Sequence, residues 1–192
     1  HFVDYGIGEG RRASESFDVT LYKANYPDLQ ELFGDDNTKY VDHYLDYGIN
    51  EGRCANRRIL NGISVASDGK KYYYKNDQID TSYTGFAAYQ GNTYYVLGGI
   101  VSNYTGLINY YGTWYYLQSG IVKWDYTSLV EHSDGAWYYV EKGILNWNYN
   151  GLVEYYGTLY YIQNGYLNWG YSGRIWYNGK WYKIVNGVAQ KD

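Results

Sequence analysis

Few residues in this chain could make or break bonds, and each of them sits where the local sequence gives it a plainer use. His132-Ser133-Asp134 carries the side chains of a hydrolase triad in a row. Triad members meet in space and come from separated positions, whereas this triplet fills the linker before Gly135. Glu131 and Glu154 recur at one position of a repeat, with Asn109 in an earlier copy. A glycosidase needs two carboxyl groups roughly 5 to 9.5 Å apart, and copies in successive repeats are misplaced for that. Cys54 is the sole cysteine, so it has neither a disulfide partner in the chain nor a thiolate ligand set. Between Arg53 and Ala55 it reads as a linker thiol. Gly6-Ile-Gly-Glu-Gly10 imitates a phosphate loop, but its second copy, Gly48-Ile-Asn-Glu-Gly52, has Asn in the middle. Gly and Asn both tolerate left-handed backbone, which points to a helix end and turn. Asp35-Asp36-Asn37 hints at calcium but lacks the Gly and distal Glu of an EF-hand loop, and it reads as a helix cap. The sequence therefore predicts no enzyme, no metal site and no cofactor.

Rings, by contrast, are abundant: 30 Tyr and 7 Trp must supply much of the apolar area that Leu and Val supply elsewhere. Tyr has an apolar body and a polar tip, which favours thin, extended architectures over a deep dry core. Trp124, Trp147 and Trp169 recur in Trp-x-Tyr-x-(Gly/Ser), with Tyr126, Tyr149 and Tyr171. Their neighbours are Lys123 and Asp125, Asn146 and Asn148, Asn168 and Gly170, groups that could hydrogen-bond the hydroxyls of a stacked sugar. A second ladder is Trp114, Trp137 and Trp181, with Leu159 in the intervening copy. Both ladders are candidate ligand-binding rings, and both equally fit the interior of a stacked array. Leu159, a poor stacking platform, tilts the second ladder toward structure. The net charge of -4 is scattered. Single-strand binders pair stacking rings with a positive groove, so nucleic acid is excluded as a partner. No run approaches the roughly 18 apolar residues of a membrane span.

Two internal repeats position these residues. His1-Phe-Val-Asp-Tyr-Gly-Ile-Gly-Glu-Gly-Arg11 returns as His43-Tyr-Leu-Asp-Tyr-Gly-Ile-Asn-Glu-Gly-Arg53, an offset of 42 residues. Residues 1–12 thus read as the tail of one helical module and 13–56 as the next, with an upstream domain expected before His1. In the complete module Asp18 can cap a segment through Asn25, and Pro27 suits the first turn of a second helix ended by Gly34. Asn37 can cap a third helix ending near Gly48. Tyr40, Val41, Tyr44 and Leu45 fall on its one apolar face. Residues 57–68 read as a linker or first strand. From 69 to 192 the period changes: Gly69, Gly91, Gly112, Gly135, Gly157 and Gly179 open six units 21 to 23 residues apart. Each has an aromatic strand, a three- or four-residue turn ending in Gly99, Gly120, Gly143, Gly165 or Gly187, and a second short strand. One such hairpin cannot bury its apolar face, but stacked copies can, which is the logic of a solenoid. The predicted fold class is mostly β, a hairpin solenoid behind a small α-helical module.

The units Gly-x-Trp-Tyr-Tyr-x-x-x-Gly-Ile resemble the cell-wall-binding repeats of Gram-positive surface proteins, over residues 69 to 192. That broad family includes choline-binding modules, the glucan-binding repeats of streptococcal glucosyltransferases and the repeat regions of large clostridial toxins. The resemblance implies a β-hairpin solenoid that binds choline on teichoic acid, or glucans and other glycans, between successive hairpins. Choline-binding repeats usually carry Gly-Trp where the next hairpin begins. Here those positions are Gly85-Phe86, Gly106-Leu107, Ser128-Leu129, Gly151-Leu152 and Gly173-Arg174, which argues against choline and leaves a glycan open, since a quaternary ammonium needs several rings around it. The helical part is similar to Tyr-Pro-Asp-Leu … His-Tyr-Leu-x-Tyr-Gly-x-x-Glu-Gly-Arg repeats of secreted bacterial proteins. The expectation is a non-catalytic anchoring module of a secreted protein on the bacterial cell surface or wall. Its partner would be a polysaccharide or teichoic-acid-type polymer. The alternatives are a structural stalk and a protein-binding adhesin repeat, for which the rings serve stacking or protein contact.

Overall fold

The architecture is that of a computed structural model and is described for residues 15–190. The repeat tail at residues 1–12, with its glycine-rich run, lies outside the described residues. The chain divides into two compact units: one runs to Asn61 and includes Lys75–Gln78, the other comprises Gly62–Tyr74 and the residues from Ile79 onward.

The first unit is helical. Asp18 caps α1 (Val19–Asn25), its carboxylate accepting the Leu21 N–H at 3.0 Å. Pro27 opens α2 (Pro27–Phe33), where a missing N–H costs nothing, and Gly34 closes it. α3 (Asn37–His43) is capped by Asp36 and not by Asn37: the Asp36 carboxylate accepts the Thr38 N–H at 3.1 Å. α3 continues into a π-type turn over Tyr44–Gly48, where the Ile49 N–H reaches the Tyr44 carbonyl at 3.0 Å. That wider turn changes the phase of the apolar stripe. Tyr40 is fully buried and Val41 and Tyr44 pack beside the core, but Leu45 is left 60% exposed, against expectation. The core is Phe17, Val19, Tyr22, Leu29, Tyr40 and Ala55. The segment after Cys54 is fastened to this unit. The Asn25 side-chain amide donates to the Cys54 and Arg57 carbonyls at 3.1 and 2.8 Å, and its oxygen accepts the Ile59 N–H at 3.0 Å.

The second unit is all β. Its strands form six three-strand sets. They are β1 (Gly62–Val65), β2 (Lys71–Lys75) and β3 (Gln78–Ile79); then β4 (Gly85–Tyr89), β5 (Asn92–Leu97) and β6 (Ile100–Val101). The third and fourth sets are β7 (Gly106–Tyr110), β8 (Thr113–Gln118), β9 (Ile121–Val122), and β10 (Ser128–Glu131), β11 (Trp137–Glu141), β12 (Ile144–Leu145). The last two are β13 (Gly151–Tyr155), β14 (Thr158–Gln163), β15 (Tyr166–Leu167), and β16 (Gly173–Tyr177), β17 (Lys180–Val185), β18 (Val188–Ala189). No helix interrupts them among the described residues. The solenoid of roughly 22-residue units is therefore the observed fold, with two differences in detail. A strand precedes each aromatic strand, so every set has three. The turns ending in Gly hold two residues and not three or four: Ser119 at φ 50° and Gly120 at φ 77° join β8 to β9. Two successive positive φ values make the type I′ turn whose twist matches that of the paired strands.

The short third strand links one set to the next. Ile121 of β9 pairs with Gln118 of its own set and with Tyr94 of the set before. Ile144 pairs likewise with Glu141 and Tyr115, and Tyr166 with Gln163 and Tyr138. Backbone pairing thus fixes the offset between neighbours. The interior is a line of aliphatics, one from each second strand after β2: Val96, Leu117, Val140, Ile162 and Ile184, all buried. Leu107, Leu129 and Leu152, each at the second position of a first strand, join them.

Candidate functional site

Clefts open between successive sets, and their walls come from three places in the repeat. One wall is the residue at the start of a second strand, Trp114 or Trp137. The next is a Tyr of the following second strand, Tyr138 or Tyr160. The third is a loop Trp after that set, Trp147 or Trp169. Leu107, Trp114, His132, Asp134, Tyr138, Leu145 and Trp147 enclose one cavity of about 70 Å³. Leu129, Trp137, Tyr155, Tyr160, Leu167 and Trp169 enclose its counterpart, about 100 Å³. In each the Tyr and loop Trp stand nearly perpendicular: 5.7 Å and 80° for Tyr138–Trp147, 5.8 Å and 82° for Tyr160–Trp169. A Leu from the usual Gly-Trp position, Leu107 or Leu129, lines each cavity, so the rings that wall these clefts come from other positions of the repeat.

The cleft one set earlier is half built. Tyr115 and Trp124 keep the geometry at 6.2 Å and 90°, but Thr93 stands where Trp114 and Trp137 stand later. The Trp124 indole N–H donates to the Thr93 hydroxyl at 3.4 Å. At the far end Leu159 takes that place, beside Trp181, Tyr182, Lys180 and Gln190 around a wider cavity of about 470 Å³. Trp181 packs against Trp176 at 5.5 Å.

The loop Trp residues are half-exposed, at 48, 47 and 49% for Trp124, Trp147 and Trp169. Their expected polar helpers are already engaged. The Asn146 amide donates to Glu141 at 2.7 Å while its oxygen accepts the Asn148 N–H at 2.9 Å. Asn168 does the same with Gln163 at 2.7 Å and the Gly170 N–H at 3.0 Å. Lys123 pairs with Asp125 at 3.2 Å. These side chains fix the loop that carries the ring.

Tyr126, Tyr149 and Tyr171 turn inward. Their hydroxyls donate to the carbonyls of Leu129, Leu152 and Arg174 at 2.7, 2.9 and 3.4 Å. Their rings lie against Tyr116, Tyr139 and Tyr161, 4.1 to 4.3 Å between centroids. Burial pushes the Tyr126 phenol up to about 12 and raises that of Tyr149 further. Geometry gives these three a packing part.

Of the isolated chemical groups, Asp134 proves pertinent. It sits on the β10–β11 turn, accepts the Ala136 N–H at 2.8 Å and the Tyr138 hydroxyl at 3.0 Å, and lines the first ring-walled cleft. The Ala136 N–H, with the Tyr138 hydroxyl, holds its carboxyl below the usual carboxylate value despite some desolvation. Ser133 meets His132 Nε2 at 3.5 Å. Glu131 and Glu154 lie on neighbouring first strands, β10 and β13. The Cys54 thiol lies near the Arg57 carbonyl at 3.6 Å. Among the described residues no three His, Cys, Asp or Glu side chains gather as metal ligands. Tyr138 and Tyr160 were not singled out from sequence. The signal was available: each follows a ladder residue, Trp137 or Leu159, as Tyr115 follows Trp114.

Small aromatic clefts thus recur between the sets of this hairpin solenoid. Four segments, 82–102, 103–123, 125–146 and 148–168, match the choline-binding repeat family. The matched segments run from 82 to 168, with Trp124 and Trp147 at the joints between them. No curated protein matches the chain. Among solved structures, choline binding protein F from Streptococcus pneumoniae is 25% identical, with a TM-score of 0.34. The alignment covers 68% of this chain and 42% of that one. An alternansucrase in complex with isomaltotriose is 20% identical, with a TM-score of 0.33, over 68% of this chain and 11% of that one. The chain therefore spans less than half of either neighbour. No helix among the described residues is long and apolar enough to cross a membrane.

Proposed function

We propose that the chain is a non-catalytic attachment module of a secreted surface protein, and that it grips a cell-wall polymer bearing quaternary ammonium groups, such as choline on a teichoic acid. The observation that carries this reading is the pair of small clefts walled by Trp114, Tyr138 and Trp147, and by Trp137, Tyr160 and Trp169. Several rings around one point attract a cation, by roughly 0.5–2 kcal/mol per contact. Cavities of about 70 and 100 Å³ are far below the roughly 300–1,000 Å³ that enclose drug-sized ligands, and they suit a compact methylated head. Asp134 adds a carboxylate to the first. The expectation that choline binds weakly or not at all rested on the lost Gly-Trp position; the rings that wall these clefts come from other positions.

A second reading, sugar stacking on Trp124, Trp147 and Trp169, is favoured by their half-exposed indoles. The two separate in one titration. Millimolar choline should shift Trp fluorescence and raise the thermal midpoint, and Trp147→Ala with Trp169→Ala should remove both responses in a protein that still folds. A response to a neutral glucan with none to choline would replace the first reading by the second. Silence toward both would leave the stalk.

A further inference from the structure

The row of clefts changes chemistry at its first member. The place of Trp114 and Trp137 is taken there by Lys71, the place of Tyr138 and Tyr160 by Tyr94, and the place of Trp147 and Trp169 by Asn103. The cleft is roomy, about 600 Å³, and Lys70, Lys71, Tyr94, Ser102, Asn103 and Ser119 are among the residues lining it. No carboxylate is among them. The Lys71 ammonium lies 5.3 Å from the Tyr94 ring centroid, so the face that would attract a cation is covered from within. A tethered ammonium held by a ring is also preorganised, which lowers the ordering cost of binding a counter-charge. Asp68, on the turn that carries Lys70, is tied to the Lys70 N–H at 2.9 Å and the Tyr72 hydroxyl at 2.8 Å.

We propose that this first cleft is an oxyanion subsite, taking a phosphate group where the later clefts take an ammonium. Two ammonium groups, two serine hydroxyls and an Asn amide can all donate, and oxyanions are the ligands that accept several charge-assisted bonds at once. The proposal rests on the reading of the inter-set clefts as ligand sites, and it makes the solenoid a two-chemistry reader: phosphate at the first cleft, cationic head groups further along.

The test is NMR of the full chain titrated with inorganic phosphate, and separately with dimethyl phosphate, against chloride at equal ionic strength. Phosphate should shift the amides of Lys70 to Tyr72 and Ser102 to Tyr104 and leave the Trp147 and Trp169 indole signals in place. Lys71→Gln should weaken this about tenfold or more, the worth of one charged hydrogen bond, without altering the choline response of Trp147. Stronger binding of the diester assigns the group to a polymer backbone, and stronger binding of inorganic phosphate to a free ion. Equal shifts with chloride, or an unweakened Lys71→Gln, would overturn the proposal. A phosphate response without any choline response leaves this subsite standing and sinks the choline reading. The reverse sinks the subsite alone.

Discussion

Tyr126 donates its proton to the Leu129 carbonyl at 2.7 Å and lies against Tyr116, so losing that proton would bury a phenolate. Burial raises its folded-state value from 10.0 to about 12. The folded chain then holds a proton that the unfolded chain gives up at about 10, and stability falls as pH climbs through that window. Tyr149 acts in the same direction. Alkaline titration should therefore show unfolding between about pH 10 and 12, with the tyrosinate absorbance of the inward tyrosines rising together with loss of the fold. Tyr126→Phe should lower stability at neutral pH by about 1 kcal/mol, one net hydrogen bond, yet lessen the slope above pH 10. Full ionisation of all tyrosines near the ordinary value with the fold intact would contradict this. Residue identities explain what was readable at this scale. Both Trp ladders stood out in the sequence because the 7 Trp are far fewer than the 30 Tyr. That Trp114 and Trp147 line one cleft did not, because the two are brought together by the offset between sets and not by local spacing. Tyr138 was hidden among 30 tyrosines, all alike until burial distinguishes them.

The turn glycines separate two causes that the sequence merges. Gly157 and Gly165 both sit at φ 77°, where a side chain costs about 1–2 kcal/mol. A Cβ on Gly157 would meet open space, whereas one on Gly165 would stand 2.5 Å from the Asn146 carbonyl oxygen. Gly165 also donates to the Tyr149 carbonyl at 3.0 Å and accepts from the Tyr139 N–H at 2.7 Å, so it cannot withdraw without unpairing neighbouring sets. Gly157→Ala should cost about 1–2 kcal/mol, and Gly165→Ala clearly more, in chemical denaturation. Equal costs would mean that the close approach contributes nothing. The elements themselves were legible wherever chemistry is local: Asp18, Pro27 and Gly34 bounded helices as expected. Leu45 was misplaced because the π-type turn breaks the 3.6-residue phase, and no local residue announces it. The first strand of the later sets was not read from sequence, because a segment such as Gly-Leu-Ile-Asn-Tyr110 pairs only once the turn has set its register; only at 57–68 was a first strand among the readings.

At the scale of the whole molecule the repeats matter because two weak clefts lie one set apart. A cation held by rings gains roughly 0.5–2 kcal/mol per contact, so free choline should bind each cleft weakly, in the millimolar range. A polymer that presents the same group repeatedly makes its second contact intramolecularly, and avidity can exceed single-site affinity by about 10²–10⁴ without any new contact. The half-built cleft at Tyr115 and Trp124, with Thr93 for a third wall, should add little to this. The expected outcome is that wild-type chain binds a choline-bearing polymer at least about a hundredfold more tightly, per choline, than it binds free choline. Trp147→Ala should erase that excess, since one cleft remains, while the affinity of Trp169's cleft for free choline is unchanged and the number of cholines bound falls. Thr93→Trp should do the opposite, completing a third cleft and raising polymer affinity again. Calorimetry with both ligand forms reads affinity and stoichiometry together. An excess that survives Trp147→Ala would mean that the polymer is held elsewhere than at the paired clefts, and no excess in the wild-type chain would mean that the clefts act singly and that the repeat serves rigidity, the stalk's property, more than grip.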